Sequence, residues 1–391
     1  MALPPLTSSG VVGVAGRIDE PVDVRTADLR LAGGPLPVTS PARVYVCGIT
    51  PYDVTHLGHA ATFVWADVLG AVLRLAGAEV VSSRNVTDVD DVLTRAADAR
   101  GRHYDEFALS QEFAFEQDMR ALGVRPPTFA PRARHHIPHV QQLAAALLRV
   151  DRAYVRDGHV FFRAGDLVER SGLDADRARE LAAEFGDEPD DDLREDPFDV
   201  PVWRPSGDRD PAWPSPWGWG RPGWHAECAA MATASLGHGV DVLVGGADLA
   251  FPHHAHQAAM AEAASGVGPF ARAQVHVGAV SQDGAKMAKS TGNLTLVADL
   301  LKQTTGPALR LLVLDRPWSQ PWEFRPGLVE AATARLDALF AAAGRRASST
   351  AAAHEVTDRL LDDLDVPGAL DVAVAEGGDA ARLLVRVLAL G

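Results

Sequence analysis

Apolar residues alternate through Val44-Tyr-Val46, which predicts a buried strand. From Ala60 to Leu75 they return every three and four residues, which predicts a helix. Between the two lies the stretch Cys47-Gly-Ile-Thr-Pro-Tyr-Asp-Val-Thr-His-Leu-Gly-His59. A strand, a tight loop and a helix start are where an open α/β sheet holds an anionic ligand. His56 and His59 fall on one face of the first helical turn. Gly58 between them presents no side chain, so a flat group could lie against the backbone there.

Farther on, Glu79-Val-Val-Ser-Ser-Arg-Asn-Val-Thr87 predicts a second strand running into the polar loop Asn85-Val-Thr-Asp-Val-Asp-Asp91. Thr87 or Asp88 reads equally as a helix cap and as a ligand-facing residue. A helical stretch follows to about Leu122. Arg125-Pro-Pro127 breaks it; a helix over 136–149 and short strands around Ala153–Phe162 come next. The acidic run Asp187-Glu-Pro-Asp-Asp-Asp192 reads as a solvated loop. This segment has the look of an insertion between two halves of a sheet. Five of the eight tryptophans fall between Trp203 and Trp224, and most of these should line a rigid loop against the core. A small apolar helix (Ala226–Leu236) then leads to a parallel strand, Val240–Val244. Gly245-Gly-Ala-Asp-Leu-Ala-Phe-Pro-His-His254 is the loop at that strand's carboxyl end, where ligands sit in such sheets. A helix and a strand (Val275–Val280) come next, then a loop with two lysines, and mostly helices from about 294.

These patterns divide the chain into an N-terminal arm (1–40), a first sheet half (41–124), an insertion (125–200), a second sheet half (201–283), a lysine-loop region (284–324) and a C-terminal helical part (325–391). The expected class is α/β, a parallel Rossmann-type sheet with an insertion and a helical end.

Composition sharpens this. Of 391 residues 47% are hydrophobic, yet no apolar run approaches the ~18 that a membrane span needs. The first residues lack the charged and apolar regions of a signal peptide. A cytoplasmic protein, monomeric by default and without a membrane partner, is expected. The net charge of −15 counts against a polyanion partner such as tRNA. Only three lysines occur among 37 basic residues, Lys286, Lys289 and Lys302, and two of them share Lys286-Met-Ala-Lys-Ser290. Solvated surface charge is a poor account of that clustering.

The only two cysteines, Cys47 and Cys228, fall with His253 on loops or helix starts that a parallel sheet could gather at one end. Thiolate and imidazole together suit zinc, and three ligands leave a position open for a substrate thiolate. Two buried cysteines beside a surface cluster of His253, His254 and His256 is the plainer alternative.

Taken together, the motifs resemble those of the cysteinyl-tRNA synthetase family of class I adenylate-forming enzymes. Cys47 to His59 resembles the family's first signature and Lys286-Met-Ala-Lys-Ser290 its second. Asn85–Asp91, Pro222-Gly-Trp-His-Ala-Glu-Cys228 and Gly245–His254 match in order, so the resemblance covers roughly residues 42–325. Within the family the chain is most similar to the cysteine ligases of the mycothiol pathway, through Cys47–Ala60 and Trp213-Pro-Ser-Pro-Trp-Gly-Trp-Gly-Arg-Pro-Gly-Trp224. From Arg325 onward seven arginines stand against ten acidic residues, little basic surface for an anticodon stem. The chain departs from the synthetases at Gln257, where their fourth zinc ligand is a glutamate. It departs also at Ala255, and at Ala288 in the lysine loop.

The resemblance implies an ATP-dependent ligase that forms cysteinyl-adenylate and passes cysteine to the amine of glucosaminyl-inositol, with ATP and Mg2+ as substrate and one Zn2+ per chain. It implies catalytic roles for His56, His59, Lys286 and Lys289, and zinc ligation by Cys47, Cys228 and His253. Gly48, Ile49 and Thr50 would touch the adenylate, with Thr62, Asn85, Val86 and Thr87 lining the same pocket. Trp224 would wall the cysteine, Gly246, Ala247 and Asp248 would meet the adenosine, and Val280 would lie near adenine. A ligase with another amine acceptor, a shortened cysteinyl-tRNA synthetase and a non-catalytic cysteine sensor are the competing readings.

Overall fold

The computed structural model describes residues 29–52, 55–207, 210–287 and 292–391. At its centre four parallel strands form one sheet: β1 (Ala42–Ile49), β2 (Val80–Val86), β3 (Val240–Gly246) and β4 (Ala271–Val277), in the order β4-β3-β1-β2. The chain leaves β1 toward β2 and returns to β1's other side as β3. The sheet order therefore reverses between β1 and β3, the crevice where such sheets bind ligands. The loops that follow β1 and β3 carry the histidine signature and the Gly245–His254 segment.

Helix α1 (Leu57–Leu75) joins β1 to β2 and is buried nearly all round. Its sheet face meets β1 and β3, and its outer face meets the C-terminal helices, so an apolar stripe on one side would not suffice. One hydrophobic core accordingly runs from Val44 and Val244 in the sheet through Trp65 and Leu69 to Leu336, Leu360 and Leu384. Arg310 is wholly buried in it. Its guanidinium reaches Asp67 on α1 and the carbonyls of Leu122 and Leu388, and so ties the helical end to the sheet.

A second, antiparallel sheet joins two strands of the insertion, Ala153–Arg156 and His159–Phe162, to Val200–Pro205 and Gly220–Pro222 of the segment that follows. The Trp-rich stretch thus belongs partly to this sheet. Trp203 is buried in it and Trp213 and Trp217 pack against the same core, as expected of most of the five, whereas Trp219 is 67% exposed. Two further differences concern the first half. The helical stretch ending near Leu122 is two helices, Asp91–Asp98 and Tyr104–Ala121, because Gly101 turns the chain at φ +61°. The cap of the first is Asp90, whose carboxylate accepts from Val92 N at 2.7 Å, and not Thr87 or Asp88. Asp88 is instead buried against Arg132 and Arg134, and Thr87 turns toward β1. Among the described residues no helix is long and apolar enough to cross a membrane.

Candidate active site at the sheet's switch point

The pairing of β1 with β2 slips just where the site begins. Val46 pairs with Arg84 and Ile49 with Val86, so Cys47 and Gly48 together face the single residue Asn85. A bulge of this kind re-aims side chains, and here it turns the Cys47 thiol toward α2 (Trp224–Leu236), which carries Cys228. Asn85 braces the bulge from both ends of its amide: its Oδ1 accepts from Gly48 N at 3.0 Å and its Nδ2 donates to Cys228 Sγ at 3.4 Å. Only glycine fits at 48, since a Cβ there would stand 1.8 Å from the Asn85 carbonyl oxygen.

His253 approaches from the segment after β3. One donor atom each of Cys47, Cys228 and His253 lies within 4.8 Å of the others, and all three residues are buried. Tetrahedral zinc with sulfur at about 2.3 Å and nitrogen at about 2.0–2.1 Å spaces its donors by about 3.5–3.8 Å, so closure on an ion needs no more than about an ångström of movement. Burial, then the imidazoles of His225, His254 and His256, drives the His253 pKa well down, leaving the neutral ring that ligation requires. Burial raises the Cys228 thiol well above its ordinary value, with Cys47 beside it adding to the effect. A proton must therefore leave when a cation arrives. By donor chemistry and spacing these residues fit zinc. Gln257, at the place of the synthetases' fourth ligand, accepts from Cys47 Sγ at 3.4 Å, while its Nε2 is buried with no partner among the described residues. His256 is engaged by the carbonyl oxygens of Pro252 and Phe198 at 2.7 and 2.9 Å, which removes it from the candidate donors.

The residues expected to meet the nucleotide lie at the carboxyl ends of β1, β2 and β3 and at the start of α1. His56 caps α1 and stacks on His59 at 4.0 Å between centroids. Burial, then His59, pushes His56 down to about 3, and burial lowers His59 as well, so both are neutral N–H donors at pH 7. The Lys286 Nζ meets Asp248 Oδ2 at 2.6 Å. Asp248 belongs to the short turn that follows Gly246 with Ala247, and Thr62 Oγ1 lies 3.8 Å from where a Gly246 Cβ would be. Thr50 and Thr87 share a hydrogen bond of 2.7 Å, and Thr87 also donates to Ile49 O. Val86 is buried at the end of β2, and Val280 lies 3.9 Å from a would-be Gly58 Cβ. Trp224 stacks on His253 at 4.0 Å. Lys289 and Ala288 lie outside the described residues.

Residues 38–334 match the family model described as tRNA synthetases class I (C) catalytic domain. The chain belongs to that family. It is 41% identical to a protein of Thermobispora bispora named L-cysteine:1D-myo-inositol 2-amino-2-deoxy-alpha-D-glucopyranoside ligase, over 87% of each chain. It is 40% identical to a cysteine–tRNA ligase of Xanthomonas euvesicatoria pv. vesicatoria, over 89% of this chain and 75% of that one. Among solved structures it is similar to Mycobacterium tuberculosis methionyl-tRNA synthetase in complex with methionyl-adenylate, with TM-score 0.63 and 16% identity over 90% of this chain and 82% of that chain. That likeness concerns the fold, an α/β class I synthetase core followed by helices.

Three features of this class I site carried no usable signal in the sequence. His254 Nδ1 and His276 Nε2 lie 2.9 Å apart, and burial lowers the two residues to about 3 and about 4. The buried Nε2 of His254 has no partner among the described residues and lies 2.8 Å from where a Gly245 Cβ would be. Asp187 and Phe185 of the insertion reach the metal-side wall: Phe185 stacks on Trp224 at 5.7 Å, and Asp187 Oδ2 lies 3.3 Å from His225 Nε2. The acidic run is thus not uniformly solvated. The Asp187 side chain is 14% exposed and that of Asp190 95%.

Proposed function

We propose that this class I family member is an ATP-dependent, AMP-forming ligase of the cytoplasm, active as a monomer, that activates L-cysteine as cysteinyl-adenylate and transfers it to the amine of glucosaminyl-inositol. The observation that carries the reading is the convergence of Cys47 on β1, Cys228 on α2 and His253 after β3, at the same end of the sheet as the His56–His59 and Lys286–Asp248 pairs. The names of the ligase relatives supply the acceptor. Cys47, Cys228 and His253 would hold zinc, which would supply a Lewis acid for the substrate's sulfur, a contact that serine cannot match and that separates the two better than pocket shape.

The rest falls to the chain's own groups. Trp224 walls the cysteine and Asn85 keeps the Cys47 bulge and Cys228 in register. The cysteine carboxylate attacks the α-phosphorus of ATP and pyrophosphate leaves. His56 and His59, neutral and at the positive end of α1, donate hydrogen bonds to the phosphates. Lys286 and Lys289 neutralise the charge that builds on the β- and γ-phosphates, with Mg2+ accompanying the nucleotide. Asp248 then exchanges Lys286 for the ribose hydroxyls. Gly48, Ile49, Thr50, Thr62, Val86, Thr87, Gly246, Ala247 and Val280 line the adenylate. The acceptor amine attacks the activated carbonyl carbon, AMP leaves and the amine gives up a proton.

The test is AMP release by zinc-loaded protein with ATP and cysteine, with and without glucosaminyl-inositol. A large rise with the amino sugar, together with the amide by mass spectrometry, supports the ligase. The similarity to a cysteine–tRNA ligase sustains a second reading. Cysteine-dependent pyrophosphate exchange that only tRNA converts to AMP release would establish it and refute the first, and an amide formed only on some other amine would keep the activation chemistry and refute the acceptor.

A further inference from the structure

Asp187, His225 and His253 form a chain of contacts that runs from the insertion to the metal donors. Asp187 Oδ2 lies 3.3 Å from His225 Nε2, and His225 Nδ1 lies 2.8 Å from His253 Nδ1. The turn that carries Asp187 is anchored by Phe185. Its ring stacks on Trp224, whose indole stacks in turn on His253 at 4.0 Å. His225 and His253 are both almost wholly buried. We propose that Asp187 is a positioning residue of the metal site, fixing through His225 which ring nitrogen of His253 carries the lone pair.

The proton placements follow from the donor and acceptor inventory. An ionised carboxylate only accepts, so the His225 nitrogen facing it, Nε2, bears the hydrogen. With His225 in the neutral form, its one N–H is at Nε2 and its Nδ1 is an acceptor. The His253 Nδ1 that faces it at 2.8 Å must then be the donor. His253 Nε2 is left with its lone pair and, among the described residues, with no hydrogen bond. That is the atom a cation can take. Without Asp187 the chain can run in the opposite sense: His225 donates from Nδ1, and His253 places its proton on Nε2, where it blocks ligation. Outer partners of metal-bound histidines act in this way in general, and losing one costs about 10–100-fold in metal affinity. What is specific here is a relay two imidazoles long that starts in the inserted domain. The metal site is therefore complete only when the 185–187 turn is docked.

The inference rests on the zinc reading above, and the test separates the two. Two variants are compared with the wild type: Asp187→Ala, which removes the acceptor, and Asp187→Asn, which keeps the shape but can also donate. Zinc affinity is measured by competition with a chromophoric chelator. The tautomers of His225 and His253 are read in zinc-free protein by long-range 1H–15N correlation on 15N-histidine samples. The expected result is a 10–100-fold weaker zinc affinity in Asp187→Ala and a smaller loss in Asp187→Asn. In both, the single tautomer of His253 gives way to a mixture. If Asp187→Ala fails to fold, Asp187→Asn carries the test alone. One zinc per chain in the wild type, with affinity and tautomers unchanged in the variants, overturns the inference and leaves the zinc reading standing. A wild type that takes up no zinc overturns the zinc reading, and the tautomers still decide for or against the relay.

Discussion

Gly48→Ala puts the geometry of the site to its most direct test. A Cβ at this position would lie 1.8 Å from Asn85 O and 2.8 Å from Asn85 C, both backbone atoms that no rotamer change can move. Bringing the 1.8 Å contact to the 3.0 Å below which Cβ atoms essentially never approach requires at least 1.2 Å of opening between the strand ends. The Gly48 N to Asn85 Oδ1 bond of 3.0 Å cannot survive that unchanged, nor can the Asn85 brace on Cys228 at 3.4 Å. Cys47 therefore moves relative to Cys228 by on the order of 1 Å, and misplacement of that size costs about 10²-fold in a reaction that depends on positioning. Overpacking costs about 1–3 kcal/mol of stability, so the protein should still fold. Zinc content, thermal unfolding and cysteine-dependent pyrophosphate exchange are to be measured on Gly48→Ala beside Gly327→Ala, where an added Cβ meets nothing within 4 Å. Exchange should fall about 100-fold with lowered zinc retention at position 48, and stay unchanged at 327. Wild-type zinc content and exchange in Gly48→Ala would refute the argument that this close approach holds the two sulfurs in place.

Cys228→Ala should abolish zinc binding and cysteine activation together, and a full equivalent of metal retained in that variant would remove Cys228 from the ligands. Lys286→Ala should slow adenylate formation about 10²–10³-fold with little change in cysteine affinity, as for loss of one transition-state donor; Lys286→Arg should restore little, since a planar fork replaces a compact ammonium. Unchanged pyrophosphate release would take Lys286 out of the mechanism. Asp67→Ala strands the wholly buried Arg310 and should destabilise the protein by about 3–5 kcal/mol at pH 7. Burial alone would raise Asp67, but Arg125 and Arg310 outweigh it and hold its carboxyl below the ordinary value. Its contribution is therefore present above the ordinary carboxylate range and lost as pH falls through the lower folded value. Denaturation midpoints of wild type and variant should converge as the solution is acidified, and a gap that does not narrow would contradict that assignment.

Much of the architecture was legible in the order of residues because it depends on local periodicity. The alternation at Val44–Val46 and the three-four spacing from Ala60 located β1 and α1, and the Val240–Val244 run located β3. Loop chemistry at the carboxyl ends of β1 and β3 pointed to the crevice, since parallel order places those loops side by side. The cap at Asp90 and the break at Gly101 were missed because several polar residues compete for one helix start and neighbouring structure chooses among them.

The candidate site divides along the same line. His56 and His59 stand three residues apart, and one helical turn suffices to stack them. The Cys47–Cys228–His253 set spans more than two hundred residues, so motif chemistry could suggest it but only packing brings its donors within 4.8 Å. Asn85 gave no sign that it would brace the Gly48 backbone and Cys228 together, because that role exists only once β1 bulges against it and α2 docks on the sheet. Asp187 is the sharpest case. Along the chain it is one acid in an acidic run, indistinguishable from Asp190, and a charge run alone predicts solvent for both. The docking of Phe185 on Trp224 draws one carboxylate inward to His225 and leaves the other in water. Local periodicity and turn chemistry are properties of neighbouring residues, whereas which of several like charges is buried depends on the elements that pack over it.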